Sequence, residues 1–120
     1  ALMNRLRQRP LAVGPLRAFE AVARRLSFSG AAEELHLTQS AISRQIRALE
    51  EELGTPLFHR ERQGMRLTAS GHTLLDYARR VLSLHDEAVT AVTAVGVETR
   101  RARRRQFIFR TQARVTKRRR

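Results

Sequence analysis

Between Ser27 and Leu53 the chain reads SFSGAAEELHLTQSAISRQIRALEEEL, a stretch that admits little other than two short helices joined by a tight turn. At about 100° per residue, Ile42, Ile46, Leu49 and Leu53 fall on one side of the second helix, spaced four, three and four. Ser40, Arg44, Arg47 and Glu51 fall opposite, with Gln39 and Ser43 flanking them near the N-terminal end. Such a helix buries an aliphatic stripe and turns Gln, Ser and Arg outward, the side chains that bond base edges and phosphates. The helix alone leaves open the alternative of an ordinary solvated polar face.

Local signals bound the neighbouring elements. Pro15 suits the first turn of a helix over about 15–25, with Leu16, Phe19, Val22, Ala23 and Leu26 as its apolar face. Arg17, Glu20, Arg24 and Arg25 lie mostly outside that face and read as solvated surface. Ser27 or Ser29 can cap the next helix, although neither has Glu or Gln three residues on. Phe28, Ala31, Ala32 and Leu35 face inward. His36-Leu37-Thr38 is the turn, with Leu37 expected inside, His36 structural and Thr38 capping a helix over 39–53. Gly54 in a left-handed conformation, followed by Pro56, ends that helix.

Glu50, Glu51 and Glu52 have the wrong sign for a helix C-terminus, which implies basic partners such as Arg47, or tolerated strain. A triple carboxylate is also repelled by phosphates, so only the N-terminal half of this helix suits DNA. Leu57-Phe58-His59-Arg60 and Met65-Arg66-Leu67 alternate around Glu61-Arg62-Gln63-Gly64, predicting a hairpin. So small a hairpin must pack Leu57, Phe58, Met65 and Leu67 on the helices. Its Arg60, Arg62 and Arg66 then follow a DNA backbone or enter a minor groove.

Thr68 opens a long helix over about 69–95. Leu74, Ala78, Val81, His85, Ala88, Val92 and Val95 repeat at four-three spacing, and Leu75, Leu82 and Val89 widen the stripe. A three-helix unit offers too little surface to cover some 40 Å of helix at about 1.5 Å per residue, so a dimer seam is expected. Gly96 is expected to end the helix.

The net charge of +13 is unevenly placed. Residues 1–99 hold 13 arginines against 11 acidic residues, whereas 100–120 hold 11 basic residues and no acid. The excess therefore belongs to the C-terminal stretch and says nothing about the rest. Too few apolar residues occur there to fold alone, and disorder is expected. The stretch suits nucleic acid or an anionic membrane surface. Without cysteine, disulfides and thiolate metal sites are excluded. The four histidines show no metal-ligand spacing, and no phosphate loop or nucleophile elbow occurs, so neither an enzyme, a cofactor nor a metal site is expected. No apolar run reaches the length of a membrane span and no signal peptide opens the chain, so it reads as cytoplasmic.

The blocks AFEAVARRLSFSGAAEEL, TQSAISRQIRALEEELGTPLF and RLTASG, within roughly residues 10–93, resemble the DNA-binding domain of LysR-type transcriptional regulators almost position for position. The resemblance implies a mainly α fold: a three-helix winged helix-turn-helix with a small β-hairpin wing, then a long dimerisation linker helix. The domains would be a basic arm (1–13), the winged helix-turn-helix (14–68), the linker helix (69–96) and an Arg-rich tail (97–120). Helix 39–53 would enter the major groove of a dyad-symmetric double-stranded operator, with wing 57–67 at the minor groove.

Gln39, Ser40, Ser43 and Arg44 would face base edges and nearby phosphates, with Thr38 beside them, and Arg47 would hold the backbone. Ser29 becomes a phosphate contact as well as a cap candidate, and Arg60, Arg62, Gln63 and Arg66 the wing contacts. Many relatives carry a larger polar residue at Gly30 and an arginine at Gln63. A one-residue shift along a strand reverses the side chain, so which of Arg62 and Gln63 inserts stays open.

Leu74, Leu75, Ala78, Val81, Leu82, His85, Ala88, Val89 and Val92 would form the homodimer seam, with a tetramer as the further option. The family's effector-binding domain does not fit in the last 24 residues, which implies no small-molecule effector site in this chain. A native basic tail, a truncation, an out-of-frame end and an artificial end are the competing readings of 97–120. Two rival functions stay open: an interaction partner that heterodimerises with a full-length regulator, and a sequence-blind cationic nucleic-acid binder.

Overall fold

A computed structural model describes residues 11–62 and 64–118. In order come α1 (Val13–Arg25), α2 (Phe28–Leu35), α3 (Gln39–Leu53), β1 (Phe58–Glu61), β2 (Gly64–Leu67) and α4 (Ala69–Arg118). The chain divides after Ser83 into two units.

In the first unit, apolar residues at helical spacing set the packing. α1 buries Leu16, Phe19 and Val22, α2 buries Ala31 and Ala32, and α3 buries Ile42, Ile46 and Leu49. The alanine pair keeps α2 narrow, so a neighbouring element can approach closely. Leu57 and Phe58 close the core from the hairpin side. The Phe58 ring lies 5.5 Å from that of Phe19 and 6.4 Å from that of Phe28, both tilted. Phe19 is fully buried, and truncating such a residue to alanine typically costs about 3–5 kcal/mol.

Side-chain and backbone caps stop the helices where the sequence signals them. Ser27, rather than Ser29, accepts the Gly30 N–H at 3.0 Å. Thr38 Oγ1 accepts the Ala41 N–H at 3.1 Å. Gly54 adopts φ 68° and donates its N–H to Glu50 O at 2.9 Å. Two non-glycine residues also turn left-handed: Leu26 at φ 50° and His36 at φ 55°. His36 closes α2 with the Leu37 N–H bonded to Ala32 O at 2.9 Å and its own N–H to Glu33 O at 3.3 Å. Its role is therefore local and structural. Leu26 and Leu37, expected inside, are instead 48 % and 43 % exposed: Leu26 is itself the left-handed residue that ends α1, and Leu37 follows the left-handed His36.

Glu50 answers the problem of the acidic helix end without a cation. Its Oε2 accepts the Leu57 N–H at 2.8 Å, so the carboxylate satisfies a backbone donor and ties α3 to the hairpin. The expected partner Arg47 is not required there.

β1 and β2 pair antiparallel, Phe58 with Leu67, His59 with Arg66, Arg60 with Met65 and Glu61 with Gly64. The loop is thus two residues, shorter than the four expected. Thr68 then caps α4: its hydroxyl accepts the Gly71 N–H at 2.9 Å and donates to Pro56 O at 2.7 Å. Gly71 sits where a Cβ would collide with the Leu57 carbonyl oxygen, so α4 can seat here only without a side chain.

α4 departs from two expectations. It continues as helix through Arg118 instead of ending at Gly96, and the stretch from 97 is helical rather than disordered over its described residues. One interior glycine costs only about 1 kcal/mol relative to alanine, and Ala and Arg beyond it are strong helix formers. Leu75, Ala78 and Leu82 are buried in the core of the first unit, and Leu74 packs against it. These four seam candidates therefore serve their own domain, because one helix face meets the domain before any partner. In the second unit α4 is a helix with Val89, Val92 and Val95 exposed. Residues 1–10 of the basic arm lie outside the described residues, and α1 already starts at Val13.

Candidate nucleic-acid interface

α3 presents its polar N-terminal half because the opposite side is fully engaged. Ile42, Ile46 and Leu49 are each at most 1 % exposed, which fixes the helix's rotation. With that side anchored, Gln39, Ser40, Arg44 and Arg47 stand exposed and Ser43 half-buried.

These five side chains line an open groove of about 790 Å³ together with Leu26, Ser27 and Phe28, and with Arg60, Glu61, Gly64 and Met65 from the hairpin. One concave surface thus combines a helix terminus, a helix face and a hairpin. Thr38, exposed beside it, already spends an acceptor on the Ala41 N–H but keeps its hydroxyl proton to donate. Ser29 is exposed in the first turn of α2, its Oγ 3.1 Å from Ser27 Oγ, and does not line the groove.

Arg60, Arg62 and Arg66 are all exposed, and the hairpin sets Arg60 and Arg66 on opposite faces. Side chains alternate along a strand, and Arg60 shares the phase of Phe58, opposite Met65. Its guanidinium lies 5.1 Å from the centroid of the Phe28 ring, a cation–π contact that holds it at the groove wall. Arg66, opposite His59 on the other face, donates to Glu61 Oε1 at 2.6 Å. That pair is exposed on both sides, so it is worth at most about 1 kcal/mol and yields readily to a phosphate. Arg62 is exposed at the turn, and Gln63 lies outside the described residues. Phe28, Glu61 and Met65 were not assigned a part in the site from sequence. The period-two spacing of Phe58 and Arg60 is the signal that would have drawn Phe28 in.

Behind the groove, Arg24 and Arg25 are not merely solvated. Arg24 bonds Glu20 at 3.0 Å and Glu34 at 2.5 Å, and Arg25 bonds Glu34 at 2.8 Å. The Arg24 hydrogen bond, then that of Arg25, holds the Glu34 carboxyl down to about 2 from the ordinary 4.5, while Arg24 is raised. This network clips the end of α1 to α2.

Of the seam candidates in the second unit, His85, Ala88, Val89 and Val92 are exposed, as is Val81 at the end of the first. Among the described residues no helix is long and apolar enough to cross a membrane.

Known proteins match this same region. Residues 14–72 fit the model of the bacterial regulatory helix-turn-helix proteins of the lysR family. The HTH-type transcriptional regulator YofA of Bacillus subtilis is 49 % identical over 75 residues, 62 % of this chain and 26 % of that one. The structure of the CbnR DBD–DNA complex superposes with a TM-score of 0.66 at 38 % identity, covering 72 % of this chain and 99 % of the other. The complex of the BenM DBD with catB site 1 DNA gives 0.68 at 37 % identity, covering 72 % and 97 %. The chain spans about a quarter of the length of the curated relatives it matches first.

Proposed function

The chain belongs to the LysR family of bacterial regulatory helix-turn-helix proteins, and on that premise we propose that it reads a double-stranded operator as a transcriptional regulator. The observation that carries this reading is the single groove that gathers Gln39, Ser40, Ser43, Arg44, Arg47 and Arg60 on a platform fixed by Ile42, Ile46 and Leu49. Two of the solved structures it resembles are complexes with DNA.

α3 enters the major groove. Gln39 offers a donor and an acceptor to adenine, and Arg44 a two-point donor to guanine or a phosphate. Ser40 and Ser43 add single hydrogen bonds, Thr38 and Ser29 donate to phosphates, and Arg47 holds the backbone. Arg60 reinforces α3 from the groove wall, whereas Arg62 and Arg66 reach out along the wing. The dimer seam shrinks to Val81, His85, Ala88, Val89 and Val92, since the inner half of the stripe is used by the chain's own core. Two copies so joined read a dyad with half-sites about one or two helical turns apart. The role is regulatory rather than catalytic, and its place is the cytoplasm, where bacterial DNA lies.

Selection of bound duplexes from a random pool tests the proposal, followed by affinity measurements on the enriched site. Arg44→Ala should weaken binding to that site by roughly 1–3 kcal/mol and relax preference at one position of each half-site. A pool that never enriches, or an unchanged Arg44→Ala affinity, removes α3 as the reader.

A further inference from the structure

Arg100, Arg101, Arg103, Arg104 and Arg105 occupy five of six consecutive positions of α4, and Arg110 follows within the same helix. All six are exposed, as are Phe107, Ile108 and Phe109. The stretch lies beyond the residues that match the family model, and the operator reading assigns it nothing.

Its charge is arranged for a polyanion. Six residues of α-helix span about 9 Å, so the five arginines present roughly one positive charge per 1.8 Å. Duplex DNA carries about one negative charge per 1.7 Å of its axis. The two densities agree in size and are opposite in sign. Within the helix, Arg100 and Arg104, and Arg101 and Arg105, are four residues apart, where like charges repel. Among the described residues Glu98 approaches Arg101, at 3.7 Å. A row of phosphates would relieve that repulsion along the whole stretch.

The pattern of apolar residues separates DNA from a lipid surface. A helix lying in a membrane interface needs its apolar side chains on one face and its cations on the other. At about 100° per residue the six arginines span roughly 220° of the surface, and Phe107 and Ile108 emerge inside that arc. Only Phe109 falls opposite. The three bulky apolar side chains therefore share no face for a bilayer to take up.

We propose that Arg100–Arg110 is a second nucleic-acid surface, which grips the duplex phosphate backbone irrespective of sequence. This goes beyond the operator reading and does not depend on α3. It raises the affinity of the chain for any DNA and so lowers the ratio of specific to non-specific binding.

The test is equilibrium binding of the full chain to a duplex of arbitrary sequence, across roughly 50–200 mM salt. The comparison is with the variant R100Q/R101Q/R103Q/R104Q/R105Q, and with R103Q/R104Q as an intermediate. Glutamine is a good helix former at these exposed positions, and circular dichroism checks that the helix persists. Each neutralised phosphate contributes about 0.9 to the log–log slope. With one phosphate per arginine, the slope should therefore fall by about 4.5 in the fivefold variant and by about 1.8 in the double one. Slopes equal to that of the parent overturn the proposal. So does a fivefold variant that keeps its duplex slope but loses binding to phosphatidylserine vesicles. The operator reading is scored separately, on the selected site against a scrambled one. Retention of that preference in the fivefold variant leaves α3 as the reader whatever the slopes do. A parent chain with no preference sinks the operator reading without touching the slopes.

Discussion

Replacing Gly71 by alanine tests how α4 is seated on the hairpin. In an open helix the change stabilises by about 1 kcal/mol. At position 71 the new Cβ would collide with the Leu57 carbonyl oxygen and lie 2.8 Å from Leu67 Cδ2. The leucine can rotate away, but the carbonyl cannot, because it accepts the Thr68 N–H at 3.0 Å. Moving it also disturbs the Thr68 hydroxyl, which holds Pro56 O at 2.7 Å and the Gly71 N–H at 2.9 Å. Overpacking of this kind costs about 1–3 kcal/mol, and losing one buried hydrogen bond about 1–3 more. Set against the helix gain, the net is a loss of about 3 kcal/mol. For a domain of this size that lowers Tm by roughly 12 °C or more. Gly96→Ala is the internal control: it lies in the same helix with nothing within 4 Å of its Cβ, and should stabilise by about 1 kcal/mol. Urea denaturation reads the first variant, and amide hydrogen exchange around residue 96 reads the second. A Gly71→Ala protein at least as stable as the parent would refute the packing argument, and one stabilised as much as Gly96→Ala would make the two glycines equivalent.

Three further outcomes follow from the site. Arg60→Ala should weaken DNA binding more than Arg66→Ala, because Arg60 lines the groove against Phe28 whereas Arg66 already spends a donor on Glu61; equal losses in the two variants would contradict the two-faced hairpin. Thr38→Ala should lower stability by about 1 kcal/mol through loss of the α3 cap, visible as a shifted urea midpoint with unchanged slope. Glu34 should titrate near 2 by carboxyl NMR. Its folded-state pKa is depressed, so its contribution to stability is intact above about 4.5 and is lost as pH falls towards 2. Glu34→Gln should flatten that acid limb, and a titration midpoint near 4.5 would show that the Arg24 and Arg25 bonds do not persist in solution.

The elements that sequence made legible are those whose cause is local. Apolar spacing determines the buried side of α3, and with it the outward Gln39, Ser40, Arg44 and Arg47. Thr38, Gly54 and Pro56 mark its ends because capping and left-handed turns depend on one or two residues. The alternation on either side of Glu61-Arg62-Gln63-Gly64 likewise suffices for a hairpin. Tertiary structure decided what depends on which surfaces meet. The stripe of α4 has one periodicity but two uses, and only the position of the domain core assigns Leu75, Ala78 and Leu82 to the interior while Val89 and Val92 stay outside. Periodicity records that a face is apolar, not what covers it. The same holds for Arg60 and Glu50: a guanidinium over Phe28 joins residues far apart in the chain, and a carboxylate on the Leu57 N–H ties the end of α3 to the hairpin. Such contacts exist only once α2, α3 and the hairpin have closed on a common core.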